Sequence, residues 1–505
     1  MPGLTLLGLG PGHPDQLTRE AWRVLEQASE VYVRTEQHPT VQAFPKHIRV
    51  HSFDALYEQA ETFEEVYANI VNQVWTLAQR PQGVIYAVPG HPLVAESTGV
   101  ALLQRARAHG LPVRIVEGLS FLDAVWRALG VDPFPRTALL DALDVARRLT
   151  PPHPPSTPAL IAQLYSRDVA SGVKLTLMHH FPDEHPVVLV HRAGLPDEVV
   201  REFALYEIDR DPEIGLLTTL YVTPLPEGTS FEEFENLIAR LRAPDGCPWD
   251  RKQTHQSLRK HLLEEAYEVL DALDRNDPTA LREELGDLLL QIVLHTQIAV
   301  EEGEFTMPEV LKTVYDKIIR RHPHVFGDVK VKDADEVLRN WEAIKRREKA
   351  TKQARAPQEQ PSVLDDLPRA LPALAQAQAI QRKVGEVGFD WPDIQGVWKK
   401  VEEELDEVRT ATSPDATTRE IGDLLFAVVN LARHLDVDAE SALREANQRF
   451  ARRFREVERQ ALAQGRELER MSLEEMDALW ERAKRTEPPT SNSTTRGEDA
   501  RGDEG

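Results

Sequence analysis

Apolar residues fall into two rhythms along this chain, and the change between them divides it. Over roughly the first 226 residues, short apolar runs end in glycine. LTLLGLGPG (4–12), VIYAVPG (84–90) and VRIVEG (113–118) each read as a buried strand entering a turn. Helical patterns follow them, over 17–28, 93–108 and SFLDAVWRAL from Ser120. The proline-rich 150–158 reads as a loop, and HPVVLVHRAGLP and GLLTTLYVTPLP after it as late strands. Strands alternating with helices and punctuated by glycine predict an α/β sheet.

After about residue 229 the strand runs stop and helical periodicity takes over. FEEFENLIARLRA carries an apolar stripe at Phe231, Phe234, Leu237, Ile238 and Leu241. PDGCPWD then reads as a compact turn. Long amphipathic patterns continue to about Thr486, interrupted by the polar, proline-punctuated stretch 349–361, which reads as a linker. The predicted division is 1–226, 229–352, a linker at 353–370, 371–486, and a tail, 487–505, too poor in apolar residues to fold. The expected architecture is therefore multidomain, an α/β domain followed by two all-α modules that form four-helix bundles on pairing.

The helical part is duplicated. Residues 400–426 place Glu403, Glu404 and Glu407 before a short polar break, and Glu420 and Asp423 after it. Glu264, Glu265 and Glu268, a break, then Glu284 and Asp287 repeat the pattern. Glu265 lies 139 residues before Glu404, and Asp287 lies 136 before Asp423. Acids three or four apart share a helix face. A helical hairpin would therefore gather four carboxylates that repel one another unless a cation joins them. Mg²⁺ prefers such oxygen ligands, and Mn²⁺ accepts them. Bases follow the acids in both copies, Lys317 and Arg321 in the first and Arg449 and Arg453 in the second. Trp341 and Trp480 come after them. Acids for a metal and bases for phosphate oxygens suit a metal–polyphosphate substrate. For a single copy, a solvated helix with mixed charges explains the pattern as well; the duplication weakens that explanation.

Composition narrows the classes. At 505 residues the chain exceeds one core. A formal charge of −23 argues against nucleic-acid binding but permits small anions where cations are focused. One cysteine, Cys247, excludes an intramolecular disulfide and fits a reducing, cytoplasmic setting. No basic-then-apolar leader opens the sequence. No apolar run reaches the roughly 20 residues of a spanning helix, so no membrane partner is expected.

Two resemblances follow from these motifs. GLGPGHPDQLT, YAVPGHPLVAE and VEGLSFLDA resemble the tetrapyrrole methylases, which are S-adenosylmethionine-dependent. The family's usual Pro-Gly-Asp-Pro reads Pro89-Gly90-His91-Pro92 here. The resemblance implies cofactor contacts around Gly8, Gly12, Gly90 and Ser120. LRAPDGCPWD, LLEEAYEVLDAL, LREELGDLLLQ, RRHPHVFGD, KVEEELDEV, REIGDLLFAVVNLARHL and NQRFARRFREVE resemble the MazG nucleoside triphosphate pyrophosphohydrolases, in two tandem modules. The whole is similar to YabN-type fusions.

The MazG resemblance implies an all-α fold, a homodimer, and hydrolysis of nucleoside triphosphates to monophosphate and diphosphate. It implies Mg²⁺ on Glu404, Glu407, Glu420 and Asp423, and on Glu265, Glu268, Glu284 and Asp287. It places nucleotide contacts at Lys400, Arg449, Arg453 and Trp480, with Lys317 and Arg321 their counterparts in the first copy. Glu403 is a candidate to orient or deprotonate water. The rival readings are a methyltransferase with a helical appendage and a non-catalytic nucleotide-binding dimerisation module.

Overall fold

The computed structural model describes residues 3–486 apart from 60–61, 354–361, 366 and 369–370. The expected tail and most of the expected linker lie outside the described residues. The chain forms two compact units, Met1–Leu258 with Val293–Glu302, and Arg259–Ile292 with Gly303–Gly505.

The first unit opens with β1 (Leu4–Gly8), α1 (Arg19–Gln27), β2 (Glu30–Val33), β3 (Arg49–Ser52), α2 (Asp54–Gln59), α3 (Phe63–Ala78), β4 (Val84–Val88), α4 (Ser97–Ala108) and β5 (Val113–Val116). These strands make a parallel sheet in the order β3-β2-β4-β1-β5. β1 is an interior strand between β4 and β5, which is why its sequence is almost uniformly apolar. Alternate side chains still divide between two cores. Leu4 and Leu6 pack with Ile70, Val74 and Leu102, whereas Leu7 packs with Val24, Leu25 and Val31 on the other face.

A second lobe follows, with α5 (Phe121–Leu129), β6 (Ala138–Asp141), α6 (Ala142–Ala146), β7 (Ala159–Ala162), α7 (Arg167–Leu177), β8 (Pro186–His191), β9 (Val199–Ala204) and β10 (Thr218–Val222). Its sheet runs β6-β7-β10-β8-β9, parallel only between β6 and β7. Among the described residues, β2, β3, β6, β7 and β9 are short segments that the apolar pattern does not separate from their flanks. The helix expected over 93–108 begins at Ser97, because Glu96 caps it and Ala95 sits at φ 52°. α8 (Phe231–Arg242) closes this list, capped by the buried Ser230.

The helical region contains α9 (His255–Asp274), α10 (Pro278–Glu302), α11 (Met307–Arg321), the short α12 (Pro323–Phe326), α13 (Ala334–Gln353), α14 (Ala373–Gly385), α15 (Ile394–Thr410), α16 (Pro414–His434), α17 (Ala439–Ala463) and α18 (Leu473–Thr486). α13 runs on through Gln353, so the first residues of the expected linker are helical. All-α describes this region only; the chain as a whole also carries the α/β lobes. Ser413 caps α16 with Pro414 at its first position, the pattern that starts a helix directly after a break. Two buried glutamines stitch α14 to its neighbours. Gln378 bonds Val437 O and Ala439 N, and Gln381 Nε2 donates to Phe426 O at 2.8 Å. Among the described residues, no helix is long and apolar enough to cross a membrane.

Two histidines of the first unit are folded in their neutral forms. His38 and His153 are 8% and 7% exposed, and burial lowers each imidazole to about 4. Unfolded, each takes up a proton near the ordinary value of about 6.5. Their contribution is intact above that value and is lost as pH falls from about 6.5 toward 4, on the order of 3 kcal/mol each. Denaturant titrations across this window should show falling stability of the first unit. His38→Gln should flatten the slope by up to about 1.4 kcal/mol per pH unit; an unchanged slope would mean His38 is protonated in the fold.

Candidate metal and nucleotide site

The acids of the second copy sit on an antiparallel hairpin. Glu404 and Glu407 lie one turn apart on α15, and Glu420 faces them from α16. One carboxylate oxygen from each falls within 4.8 Å of the others. Glu404 is only 5% exposed. Its Oε1 takes the Lys400 ammonium at 2.7 Å, while Oε2 is buried with no hydrogen-bond partner among the described residues. Such an atom is costly unless something binds it. Partial burial and the Glu404 charge push the Glu407 carboxyl up, Lys400 opposes the rise, and Glu420 adds to it. Asp423 is exposed, one turn beyond Glu420, and is not part of the triad. Glu403 is also outside it; its carboxylate accepts from Lys400 Nζ at 2.9 Å.

The first copy repeats this arrangement. Glu265, Glu268 and Glu284 converge within 4.8 Å. Burial, donation of a hydrogen bond by the protonated Glu265 to Glu268, and the charges of Glu268, Asp287 and Glu284 together raise the Glu265 carboxyl. Asp287 thus lies near the triad without joining it, like Asp423.

The bases and aromatics form a second group on each copy. On α17, Arg449 pairs with Glu445 at 3.3 Å, and Arg453 lies 6.0 Å from the Trp480 ring of α18. Trp480 is half-buried, with Phe450 at 4.9 Å and the Val457, Ala461, Met471 and Leu479 cluster behind it. Part of this tryptophan therefore serves the core. In the first copy, Trp341 takes Arg321 at 5.5 Å and Lys345 Nζ at 4.4 Å. Arg320 and Arg321 both bind Glu348, whose carboxyl is held down at about 2. Lys317 is exposed. Sequence reasoning missed Lys345 and Glu348, although their spacing of four and seven from Trp341 puts them on its helix face.

One set of contacts joins the copies. Arg444 of α17 pairs with Asp274 at 2.8 Å and lies over Tyr267 at 5.7 Å, and Gln448 reaches Asp271 at 3.1 Å. These partners belong to α9, the helix that carries Glu265 and Glu268.

The N-terminal motifs converge at the carboxyl ends of β1, β4 and β5. Gly10 and Gly90 exchange backbone hydrogen bonds at 3.2 and 2.8 Å. A Cβ on Gly8 would lie 2.5 Å from Gly118 N, and Gly90 holds φ at 67°, so glycine is required at both. Gly12 is covered by Leu195. Ser120 caps α5 in a capping box with Asp123, so its hydroxyl already has a structural use.

A glycine-lined α/β domain joined to carboxylate-bearing helical hairpins defines a methylase-like protein fused to a nucleotide-hydrolase-like one, and comparison agrees. The sequence model of tetrapyrrole (corrin/porphyrin) methylases matches residues 3–209, and that of the MazG nucleotide pyrophosphohydrolase domain matches 253–326. The chain belongs to the MazG family, in the YabN-type form that carries a tetrapyrrole-methylase domain in front. It is 43% identical over 500 residues to the uncharacterized protein YabN of Bacillus subtilis (strain 168), covering 96% of this chain and 99% of that protein. It is 46% identical over 257 residues to the nucleoside triphosphate pyrophosphohydrolase/pyrophosphatase MazG of Thermotoga maritima, covering 51% of this chain and 96% of that protein. To the nucleoside triphosphate pyrophosphohydrolase of Escherichia coli (strain K12) it is 50% identical over 257 residues, 50% of this chain and 95% of that protein. Matches of that length exceed the spacing between the two acid motifs.

If the triads hold a divalent cation, Mg²⁺ at one hundred times its dissociation constant should stabilise the helical unit by about 2.7 kcal/mol for each triad occupied. Thermal unfolding of the full chain with and without Mg²⁺ reads this directly. The shift should vanish when Glu265→Gln and Glu404→Gln are combined; a shift that survives both would place the cation elsewhere.

Proposed function

We propose that the helical region is a Mg²⁺-dependent nucleoside triphosphate pyrophosphohydrolase, converting a nucleoside triphosphate and water to the monophosphate and diphosphate. The observation that carries this is the buried Glu404 carboxylate, with one oxygen unpartnered among the described residues, converging with Glu407 and Glu420 across a hairpin. The donor set is all carboxylate oxygen, which fits a hard cation such as Mg²⁺, or Mn²⁺ in its place. Glu404, Glu407, Glu420 and the nearby Asp423 would hold it, as would Glu265, Glu268, Glu284 and Asp287 in the first copy. When bound, the ion supplies positive charge against the phosphate oxygens.

The chain's own groups do the rest. Lys400, Arg449 and Arg453 oppose the polyphosphate charge, and Lys317 and Arg321 are their counterparts. Trp480 offers a ring edge or face to the base. Glu403, once Lys400 turns to phosphate, is placed to orient or deprotonate water. That water attacks the α-phosphorus; its proton leaves to the carboxylate or solvent, and the bond to diphosphate breaks. The net charge of −23 favours a small anion over nucleic acid as substrate. In the cell the reaction would clear non-standard nucleotides from the cytoplasmic pool. We assign 1–226 to the methylase-like domain and 229–352 and 371–486 to the two modules. Exposed apolar residues on the second hairpin, Ile421, Leu425, Phe426 and Val428, support pairing with a second copy of the chain.

Product analysis over a panel of nucleoside triphosphates with Mg²⁺ tests the reading. Monophosphate plus diphosphate is expected, with most of the activity lost, on the order of 100-fold, when Glu404→Gln is combined with Glu265→Gln. Release of orthophosphate would point to another bond and sink the proposal.

For the first unit we infer S-adenosylmethionine binding, supported by the methylase match and by the glycine-only approach of β1, β4 and β5 around Gly8, Gly12 and Gly90, beside Ser120. Equilibrium dialysis should detect S-adenosylmethionine on the full chain and lose it in Gly90→Leu with the helical activity intact. Absence of binding to the unaltered chain would refute the inference.

A further inference from the structure

Lys400 has a position that neither helix stability nor phosphate binding alone explains. Its Nζ lies 2.7 Å from Glu404 Oε1 and 2.9 Å from Glu403 Oε1, so one ammonium bridges two carboxylates one turn on. A lysine placed N-terminal to its glutamate is the weaker order for a helical pair. The partner is moreover the most buried acid of the triad, its side chain 7% exposed against 37% for the lysine. The ammonium therefore sits on the carboxylate that would hold a metal most firmly.

The duplication supplies an internal comparison. Counting back 139 residues, the spacing that relates Glu404 to Glu265, places His261 at the position of Lys400. Its Nδ1 lies 3.0 Å from Glu264, the counterpart of Glu403. So the two copies have the same triad but different side chains beside it, a lysine on the key acid in one and a histidine on the neighbouring acid in the other.

We propose that Lys400 is a tethered cation that competes with free divalent metal for Glu404. The second copy then loads metal together with a polyphosphate that draws the ammonium away, whereas the first copy, with His261, takes up free metal. This rests on the pyrophosphohydrolase reading of the same site. In this role Lys400 is a positioning residue that sets the order of loading, in addition to any contact with substrate.

The test is Mn²⁺ binding to the full-length chain without nucleotide, followed by calorimetry and by the electron paramagnetic resonance of free Mn²⁺. With the first copy disabled by Glu265→Gln and Glu268→Gln, Lys400→Met should bind Mn²⁺ about five-fold more tightly than the parent, the scale of a partly exposed ion pair. Lys400→Arg should stay weak. With the second copy disabled instead by Glu404→Gln and Glu407→Gln, His261→Lys should weaken Mn²⁺ binding by a similar factor. Equal or weaker binding in Lys400→Met, or no change in His261→Lys, overturns the proposal while leaving the metal site standing. If adding Glu404→Gln to the first background leaves Mn²⁺ binding unchanged, the site itself falls and the lysine's role with it. Thermal unfolding of each variant confirms that the hairpins are folded.

Discussion

Like charges held together are the constraint on which the helical region depends. Two carboxylates 4.8 Å apart repel by roughly 1 to 3 kcal/mol at effective dielectric constants between water's and about 20. Each hairpin keeps three of them at that range. Packing elsewhere must therefore fix the helices: the buried Val397, Ala427 and Val429, the glutamine stitches of α14, and the clamp of Asp390 on Arg433 and His434 near the end of α16. That clamp is itself strong, since Arg433 holds the Asp390 carboxyl at about 2. The scaffold is apolar and hydrogen-bonded so that the site can remain electrostatically unfavourable until a cation arrives.

The N-terminal unit meets a different constraint, one of space. Its strand ends approach so closely that Gly8 and Gly118 have no room for a side chain. The space beside Gly8 is taken up by the main chain of Gly118 and Gly90, and that beside Gly118 by Gly90 and Gly8. The helical site is built from charged side chains, the sheet crevice from closely packed main chain. The two chemistries do not resemble one another, and they reside in separately packed cores.

Much of this was legible in sequence. The acid spacing put Glu404, Glu407 and Glu420, and likewise Glu265, Glu268 and Glu284, on facing sides of a hairpin, because helical geometry leaves little freedom once a short break closes it. The buried strands β1, β4 and β10 were legible from their apolar runs. β2, β3, β6 and β9 were not, since four to six residues of mixed polarity carry no distinct period, and the apolar β7 is only four residues long. Asp423 and Asp287 illustrate a finer limit. Spacing puts each on the same face as its neighbour, but it does not tell how far along the face the hairpin crosses, and the triads close without them. The pairing of Lys400 with Glu404 was likewise open to sequence as an i, i+4 relation, whereas the burial that makes it matter depends on tertiary packing.

The bridge from Arg444 and Gln448 to Asp274 and Asp271 changes how the duplication should be understood. α17 carries Arg449 and Arg453 of one copy, and α9 carries Glu265 and Glu268 of the other. The helix that bears the bases of one copy is thus tied by polar side chains to the helix that bears the acids of the other, which makes the duplication two repeats in contact and not two modules strung apart.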